Sequence, residues 1–285
     1  MKLKSILIVI LFCSFIYSQD SLDTAESESF FNKRNISILT LSGICASTLV
    51  IEYLMWWHND FHPFNFAKHF EGEHWLNEPY TLGIDKIGHF YTSYFYYRLS
   101  RNLLSWGKFA EKDSRKYAFF LSIGLATIAE LGDGFSNYGF DYEDLVFNMG
   151  GAVYGYVQDE LPIMKNFNFK WSYIPTENFK FPPNITDTYE AHIYWLTTDV
   201  HNLFKKSIGK FWPEFLQLGV GMSISDDHKK REFILGLDFD LTKIFKTENE
   251  DLNLIINNAN MLHFPAPGIK FTPESNPDYR FLMFN

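Results

Sequence analysis

The stretch that decides the fold is DKIGHFYTSYFYYR, residues 85–98, in which polar Asp85 and His89 lie one helical turn apart among aromatic residues. Two later helical segments carry similar polar pairs: Glu130 with Asp133, and Asp144 with Asn148. Side chains at these spacings share one face of a helix. Because a buried carboxylate or neutral imidazole is costly without a partner, we expect the three pairs to meet one another.

The three pairs fall at the same end of the predicted helices. Helices two, three and four are predicted at about 85–106, 117–131 and 142–160, and their short connections favour antiparallel neighbours. The pairs then lie at the start, the end and the start of an up-down-up set. The candidate site consists of seven residues: Asp85, Lys86, His89, Glu130, Asp133, Asp144 and Asn148.

The sequence leaves three uses of this polar cluster open. A satisfied polar network would only fix the geometry of the bundle. A general acid–base site would use His89, Glu130 and Asp144 as catalytic residues, with a carboxylate orienting the imidazole. A metal site would hold a hard or borderline cation, although the chain lacks the His-Glu-x-x-His and Cys-x-x-Cys motifs. No particular metal or cofactor follows from these residue types.

Composition and charge restrict the class of partner. The chain of 285 residues is 46% hydrophobic and 19% aromatic, which suits a core or a membrane interface. Its mean hydropathy of −0.15 is low for a chain embedded mostly in membrane. The net charge of −9, without a basic stripe, argues against nucleic acid and anionic lipid. The partner class that remains is a membrane lipid or another envelope component.

The first 18 residues have the pattern of a secretory signal peptide. A basic start precedes the apolar run at 6–16, and the small residue Ser18 follows it. An uncleaved anchor helix is one alternative. Acylation at Cys13 is another, although the bulky Phe12 is unfavourable at a lipoprotein cleavage site. The sequence therefore predicts an exported protein at the periplasmic face of the inner or outer membrane.

The fold class predicted for the rest is mainly an α-helical bundle. An acidic lead-in at 19–35 precedes a membrane-associated bundle of about four helices at 36–161. The first helix, at 36–57, has about the length needed to cross a bilayer.

A smaller C-terminal extension, 162–285, is predicted to follow the bundle. It contains a β-hairpin at about 214–241, where apolar residues alternate on both sides of a polar turn, and it ends in a Pro-rich segment. Residues 188–206 are predicted to form a short helix that carries Trp195.

The charge pattern leaves open whether helices two to four span a bilayer. If the first helix runs inward, the basic turn after helix two faces outward, against the positive-inside tendency. The alternative is an amphipathic bundle packed on a membrane surface, which Arg98 and Arg101 favour. The basic turn consists of Lys108, Lys112, Arg115 and Lys116.

The order of these motifs resembles that of bacterial envelope families. Asp85-Lys-Ile-Gly-His89, the segment from Glu130 to Asp133, and Asp144-Leu-Val-Phe-Asn148-Met-Gly-Gly151 resemble the YfiM-type family of uncharacterised envelope proteins, described as periplasmic lipoproteins, over roughly 75–157. The motif order is also similar to that of VanZ-like membrane proteins, but an Arg common in those proteins is missing here. The resemblance implies an envelope location and a helical architecture, and it implies no particular reaction.

Two functional hypotheses follow. The first is a non-catalytic, membrane-associated envelope protein whose polar cluster is structural or binds a small ligand. The second is a membrane-surface hydrolase or transferase that acts on a lipid or cell-wall precursor through His89 with Glu130 or Asp144. The sequence supports both hypotheses and does not decide whether the protein is an enzyme.

Overall fold

The computed structural model describes residues 31–69, 73–175 and 188–283. The predicted signal peptide, Cys13 and most of the acidic lead-in lie outside the described residues. The described chain forms two compact units. The first unit comprises 31–68 and Tyr96–Leu145, and the second comprises 69–95 and the residues from Val146 onward.

The predicted helices are present with small shifts of their ends. Helix α1 (Lys33–Glu52) continues as a π-helical turn, and α2, α3 and α4 span Ile84–Trp106, Glu111–Asp133 and Tyr142–Glu160. Helix α3 begins before the predicted position because Glu111 and Asp113 in its first turn favour a helix N-terminus. Most of the predicted basic turn is therefore part of a helix.

Helix α1 and its π-helical continuation form an unusually exposed apolar element of the first unit. Lys33–Trp57 is the one helix among the described residues that is long and apolar enough to cross a membrane. Only 17% of its most apolar window is buried. Leu39 and Ile51 are each more than half exposed. The structure thus confirms a first helix of about the predicted length. Its length and apolar composition are the two properties that make it a candidate membrane span.

The second unit contains more strands than the sequence predicted. Its antiparallel sheet has the strands in chain order: β1 (Phe167–Tyr173), β2 (His192–Thr198), β3 (Leu216–Ile224), β4 (Arg231–Phe239), β5 (Gly268–Phe271) and β6 (Asp278–Arg280). The predicted hairpin is confirmed as β3 and β4, which pair from Leu216↔Phe239 to Ile224↔Arg231. The C-terminal part is thus a six-stranded sheet with short helices α5 (Val200–Leu203), α6 (Leu241–Ile244) and α7 (Glu250–Ala259).

The predicted helix at 188–206 is wrong. Trp195 lies in β2, where it is fully buried beside the equally buried Ile193. The β-branched and aromatic residues of this segment suit a strand that is paired on both sides. Helical structure in the segment is confined to α5 and a single 3-10 turn at Tyr189–Ala191.

One face of the sheet is concave. Lys170 of β1 and Asp238 of β4 are fully buried, and Nζ lies 2.7 Å from Oδ2. In a flat sheet β1 and β4 would be about 14 Å apart, and their side chains would stand perpendicular to the sheet. The sheet must therefore curl toward this pair. Within the curl, the indole of Trp195 stacks on His263, with ring centroids 3.9 Å apart.

The opposite, convex face is apolar. A row of directly paired residues crosses five strands: Leu196, Val220, Leu235, Ile269 and Tyr279. Near β1 and β2 the helical segments of the second unit pack on this face, and Phe90 of α2 meets Phe169 of β1 at 4.8 Å between ring centroids. The sheet therefore buries polar groups on one side and presents apolar groups on the other.

Candidate functional site

The candidate site lies at the beginning of α2, which the preceding loop holds in place. Lys86 is only 1% exposed, and its Nζ lies 3.0 Å from Oε1 of Glu78. Thr81 donates a hydrogen bond of 2.8 Å to the other carboxylate oxygen of Glu78. A buried lysine requires such an ion pair, because an uncompensated charge inside a protein is strongly destabilising. Lys86 therefore fixes the loop to the helix.

A buried chain of hydrogen bonds orients His89. Ser93, one turn further along α2, donates from Oγ to Oδ1 of Asn148 on α4 at 2.9 Å. The amide nitrogen of Asn148 lies 3.2 Å from Nδ1 of His89. Because the amide oxygen accepts from Ser93, the amide nitrogen is positioned to donate to His89. This arrangement places the proton of the neutral imidazole on Nε2.

Asp85 lies on the Nε2 side of His89. The distance from Nε2 to Oδ1 of Asp85 is 3.8 Å, and the two side chains are 29% and 23% exposed. The hydroxyl of Tyr189 donates to the same carboxylate oxygen at 3.4 Å. The side chains of Asp85 and His89 thus both keep contact with solvent. Ser93 and Asn148, which hold the imidazole, are buried.

The sheet supplies a neutral hydroxyl close to this helical turn. Burial, followed by the negative charge of Asp85, raises the pKa of Tyr194, so its hydroxyl stays protonated. A Cβ atom at Gly88 would lie 2.9 Å from that hydroxyl oxygen. Any larger residue at position 88 would therefore have to displace the hydroxyl of Tyr194. The tyrosine is in turn 3.3 Å from Nδ1 of His192.

A second glycine sets the approach of the two helical segments. A Cβ atom at Gly151 of α4 would collide with the carbonyl oxygen of Phe90 in α2. The backbones are therefore in direct contact one turn beyond the pair of His89 and Asn148. This contact holds the histidine and its amide partner in register.

The remaining predicted residues belong to the first unit. Glu130 is 2% exposed, and Asp133 accepts a hydrogen bond of 2.8 Å from the indole nitrogen of Trp57. Asp144 begins the helical turn that precedes Asn148 on α4. The structure brings Asp85, Lys86, His89 and Asn148 together within the second unit. The convergence of all seven residues stays a prediction.

Several members of the cluster were missed in the sequence. Ser93 follows His89 by four residues and so shares its helix face, a spacing that could have identified it. Glu78 lies in an irregular loop, whereas Tyr189 and Tyr194 come from the sheet part of the chain. No local pattern links these three residues to α2, since only the tertiary fold brings them there.

Comparison with known proteins identifies a family match within the chain. Residues 72–160 match the family described as "Predicted periplasmic lipoprotein (DUF2279)". This range contains all seven predicted site residues and both helices that carry the hydrogen-bonded cluster. Neither a curated protein nor a solved structure matches the chain. The match confirms the predicted export of the protein to the cell envelope.

Proposed function

We propose that this envelope protein binds a small polar ligand through Asp85 and His89. The observation that supports the proposal is the contrast between the partly exposed pair and its buried support. Ser93 and Asn148 are at most 4% exposed, yet they hold an imidazole that reaches solvent. An imidazole N–H and a carboxylate 3.8 Å apart can together bind one hydroxyl, which accepts from the first and donates to the second.

A purely structural role fits this arrangement less well. Lys86 has the features expected of a structural residue, since it is buried and paired. His89 and Asp85 differ from it because both keep contact with solvent. Polar side chains preorganised by a buried network are typical of binding sites.

The catalytic alternative would be a hydrolase or transferase using His89 with Glu130 or Asp144. Its substrate would be a lipid or a cell-wall precursor. Within the second unit, the group that orients His89 at Nδ1 is a neutral amide. An amide fixes the ring but adds no negative charge to stabilise an imidazolium, as the carboxylate of a Ser-His-Asp triad does. The second unit therefore supports binding more directly than proton transfer.

Nuclear magnetic resonance of the histidine rings tests the binding proposal. We expect the ring nitrogens of His89 in the purified protein to show the tautomer protonated at Nε2. Titration with N-acetylglucosamine, as a hydroxyl-rich probe, and with Zn²⁺, as a cation probe, should shift these signals saturably for at least one probe. Equal responses of all histidines, or no response of His89 to either probe, would contradict the proposal.

His201 provides a matched control for this experiment. Its Nε2 lies 3.8 Å from Oε1 of Glu214, and its side chain is 30% exposed. The distance in this pair equals that between His89 and Asp85, and the two histidines are similarly exposed. Nδ1 of His201, however, faces the carbonyl oxygen of Trp212 instead of a side-chain network. The proposal requires His89 to respond at probe concentrations that leave His201 unchanged. Asn148→Leu should abolish that difference while the backbone signals persist.

We further propose that Lys33–Trp57 attaches the protein to a membrane. The support is an apolar helix whose side chains are mostly exposed. Leu39→Lys with Ile51→Lys should release the protein into the soluble fraction of cells, because each lysine costs about 3 kcal/mol in a bilayer. Asn257→Lys, at an exposed position of α7, is the control. Retention of the double variant in carbonate-washed membranes would contradict this attachment.

The finer family likeness is also a proposal. The spacing of the Asp85, His89 and Asn148 motifs supports a relation to YfiM-type proteins and, at lower similarity, to VanZ-like membrane proteins. The hydrogen bond between His89 and Asn148 joins two of these motifs in space. It gives no support to a VanZ-like activity.

A further inference from the structure

The convex face of the sheet exposes an apolar surface that the ligand site does not use. Six of its side chains are between one third and just over one half exposed: Leu196, Leu218, Val220, Phe233, Leu235 and Phe271. They occupy neighbouring positions across β2 to β5, so the surface is continuous. Contiguous apolar surface of this kind is unusual on a soluble protein and marks an interaction site.

One end of the β3–β4 hairpin extends this surface with aromatic side chains. The segments 204–215 and 241–246 meet there, since Asp240 donates its backbone N–H to the carbonyl of Phe215 at 2.8 Å. Phe211 is 90% exposed. The exposed apolar residues of this edge are Phe204, Ile208, Phe211, Phe215, Ile244 and Phe245.

Lysines surround the same edge. They are Lys205, Lys206, Lys210, Lys243 and Lys246, and all five are exposed. Glu214 is the one acidic residue within the two segments, and it lies 3.3 Å from Nζ of Lys246. In a chain with a net charge of −9, this is a local reversal of sign. The two lysine groups are distant in sequence, which is why no basic stripe is visible there.

The opposite end of the hairpin has the contrary character. Its turn contains Asp226, Asp227, Lys229 and Lys230, and Asp227 forms hydrogen bonds within the turn. In chain order, the acidic residues Glu248 and Glu250 follow the basic edge directly, at the beginning of α7. The hairpin therefore has one polar end and one end that is both apolar and basic.

We infer that the convex face and its basic aromatic edge dock on an anionic lipid bilayer. Exposed Phe side chains insert at the level of the acyl chains, while lysines extend toward lipid phosphates. The charge pattern distinguishes this occupant from a second copy of the chain, because the turn at the other end of the hairpin balances Asp226 and Asp227 with Lys229 and Lys230 and so offers the lysines no acidic partner surface. The inference concerns the second unit alone and is independent of the ligand site and of the attachment by α1.

Fluorescent labels on the full-length chain test this inference. In a Cys13→Ser and Cys45→Ser background, Val220→Cys and Phe211→Cys place an environment-sensitive nitrobenzoxadiazole label on the face and on the edge. Lys229→Cys places it at the polar turn as a control. The labelled proteins are reconstituted into vesicles of phosphatidylethanolamine and phosphatidylglycerol, with and without brominated acyl chains.

We expect blue-shifted emission and quenching by brominated chains at 211 and 220 but not at 229. Replacing Lys205, Lys206 and Lys210 by Gln should weaken docking about fivefold for each lysine, with a smaller loss in vesicles of phosphatidylcholine alone. A blue shift without quenching by brominated chains would mean that a protein, such as a second copy, covers the face, and would overturn the inference. Unchanged emission at 211 and 220 would also overturn it.

Discussion

At the scale of single residues, the absence of one side chain sets the distance between the two helices at the candidate site. Gly151 faces the backbone of α2, whereas a Cβ atom at the neighbouring Gly150 would lie 3.4 Å from the ring of Phe90. An added methyl group would therefore collide with backbone at one of these adjacent positions and only touch a side chain at the other. This difference can be measured.

Gly151→Ala is expected to lower the free energy of unfolding by about 3 kcal/mol, because its methyl group would push against the backbone of Phe90. Gly150→Ala should be close to neutral or stabilising by up to about 1 kcal/mol, owing to the better helix propensity of alanine. Chemical denaturation of the purified variants compares the two. Equal effects of both substitutions would contradict the assigned backbone contact.

His263 should make the stability of the protein dependent on pH. Burial lowers its pKa to about 4, while an unfolded histidine titrates near 6.5. Below pH 6.5 the unfolded state binds a proton that the folded state excludes, so stability is lost as the pH falls toward 4. The loss attributable to this residue is about 3 kcal/mol. Burial also raises the pKa of Asp238 to about 6, despite the nearby Lys170, and this opposes the loss.

His263→Phe keeps an aromatic ring on Trp195 but removes the titration. The difference in unfolding free energy between the native protein and this variant should therefore shrink by about 3 kcal/mol between pH 7 and pH 4. Denaturation curves at several pH values provide the measurement. A constant difference for His263→Phe would refute the assigned titration.

The sequence predicted residues at the centre of the candidate site but not those that surround it. Asp85, His89 and Asn148 were predicted because i,i+4 spacing is a local property of helices. Tyr189 and Tyr194 were missed, since their approach to α2 depends on packing between segments about one hundred residues apart, as the 104-residue separation of Tyr189 from Asp85 shows. Lys86 was predicted as part of the cluster, and its pairing with Glu78 gives it a structural role.

At the scale of elements, helices were easier to predict than strands. α4 was predicted with its observed ends, because capping and the following Pro162 are local signals. β1 alternates strictly between aromatic and polar residues, so its sequence did carry a strand signal. β2 has Tyr194 and Trp195 on opposite faces, so period-two alternation of polarity is weak there. Where a curled sheet covers both faces of a strand, apolar and polar residues need not alternate along that strand.

The ion pair between β1 and β4 should be essential to the sheet. Lys170→Met leaves the carboxylate of Asp238 buried without its cation, and we expect a loss of about 3 to 5 kcal/mol in unfolding free energy. Combining it with Asp238→Leu should recover much of this loss, because an apolar pair of similar volume avoids the buried charge. Thermal and chemical denaturation measure both variants. Additive losses in the double variant would show that the two residues act independently.

At the scale of the whole molecule, the composition gave the net charge of the chain but did not show where the charges lie on its surface. The net charge of −9 argued against anionic lipid, yet the second unit gathers five lysines at one edge of its sheet. The export of the chain and its long apolar helix were both predicted, since each depends on a contiguous segment. Surface patches formed from separate segments required the fold.

The curl of the sheet also has a consequence for the order of folding. Lys170 and the carbonyl of Phe239, its hydrogen-bond acceptor, are 69 residues apart, and they meet only after four strands have paired. Contacts of such long range carry a large loop-closure cost and are expected to form after the rate-limiting step. Lys170→Met should therefore accelerate unfolding while leaving the refolding rate nearly unchanged. Stopped-flow kinetics would then place the closure of the curl on the native side of the folding barrier.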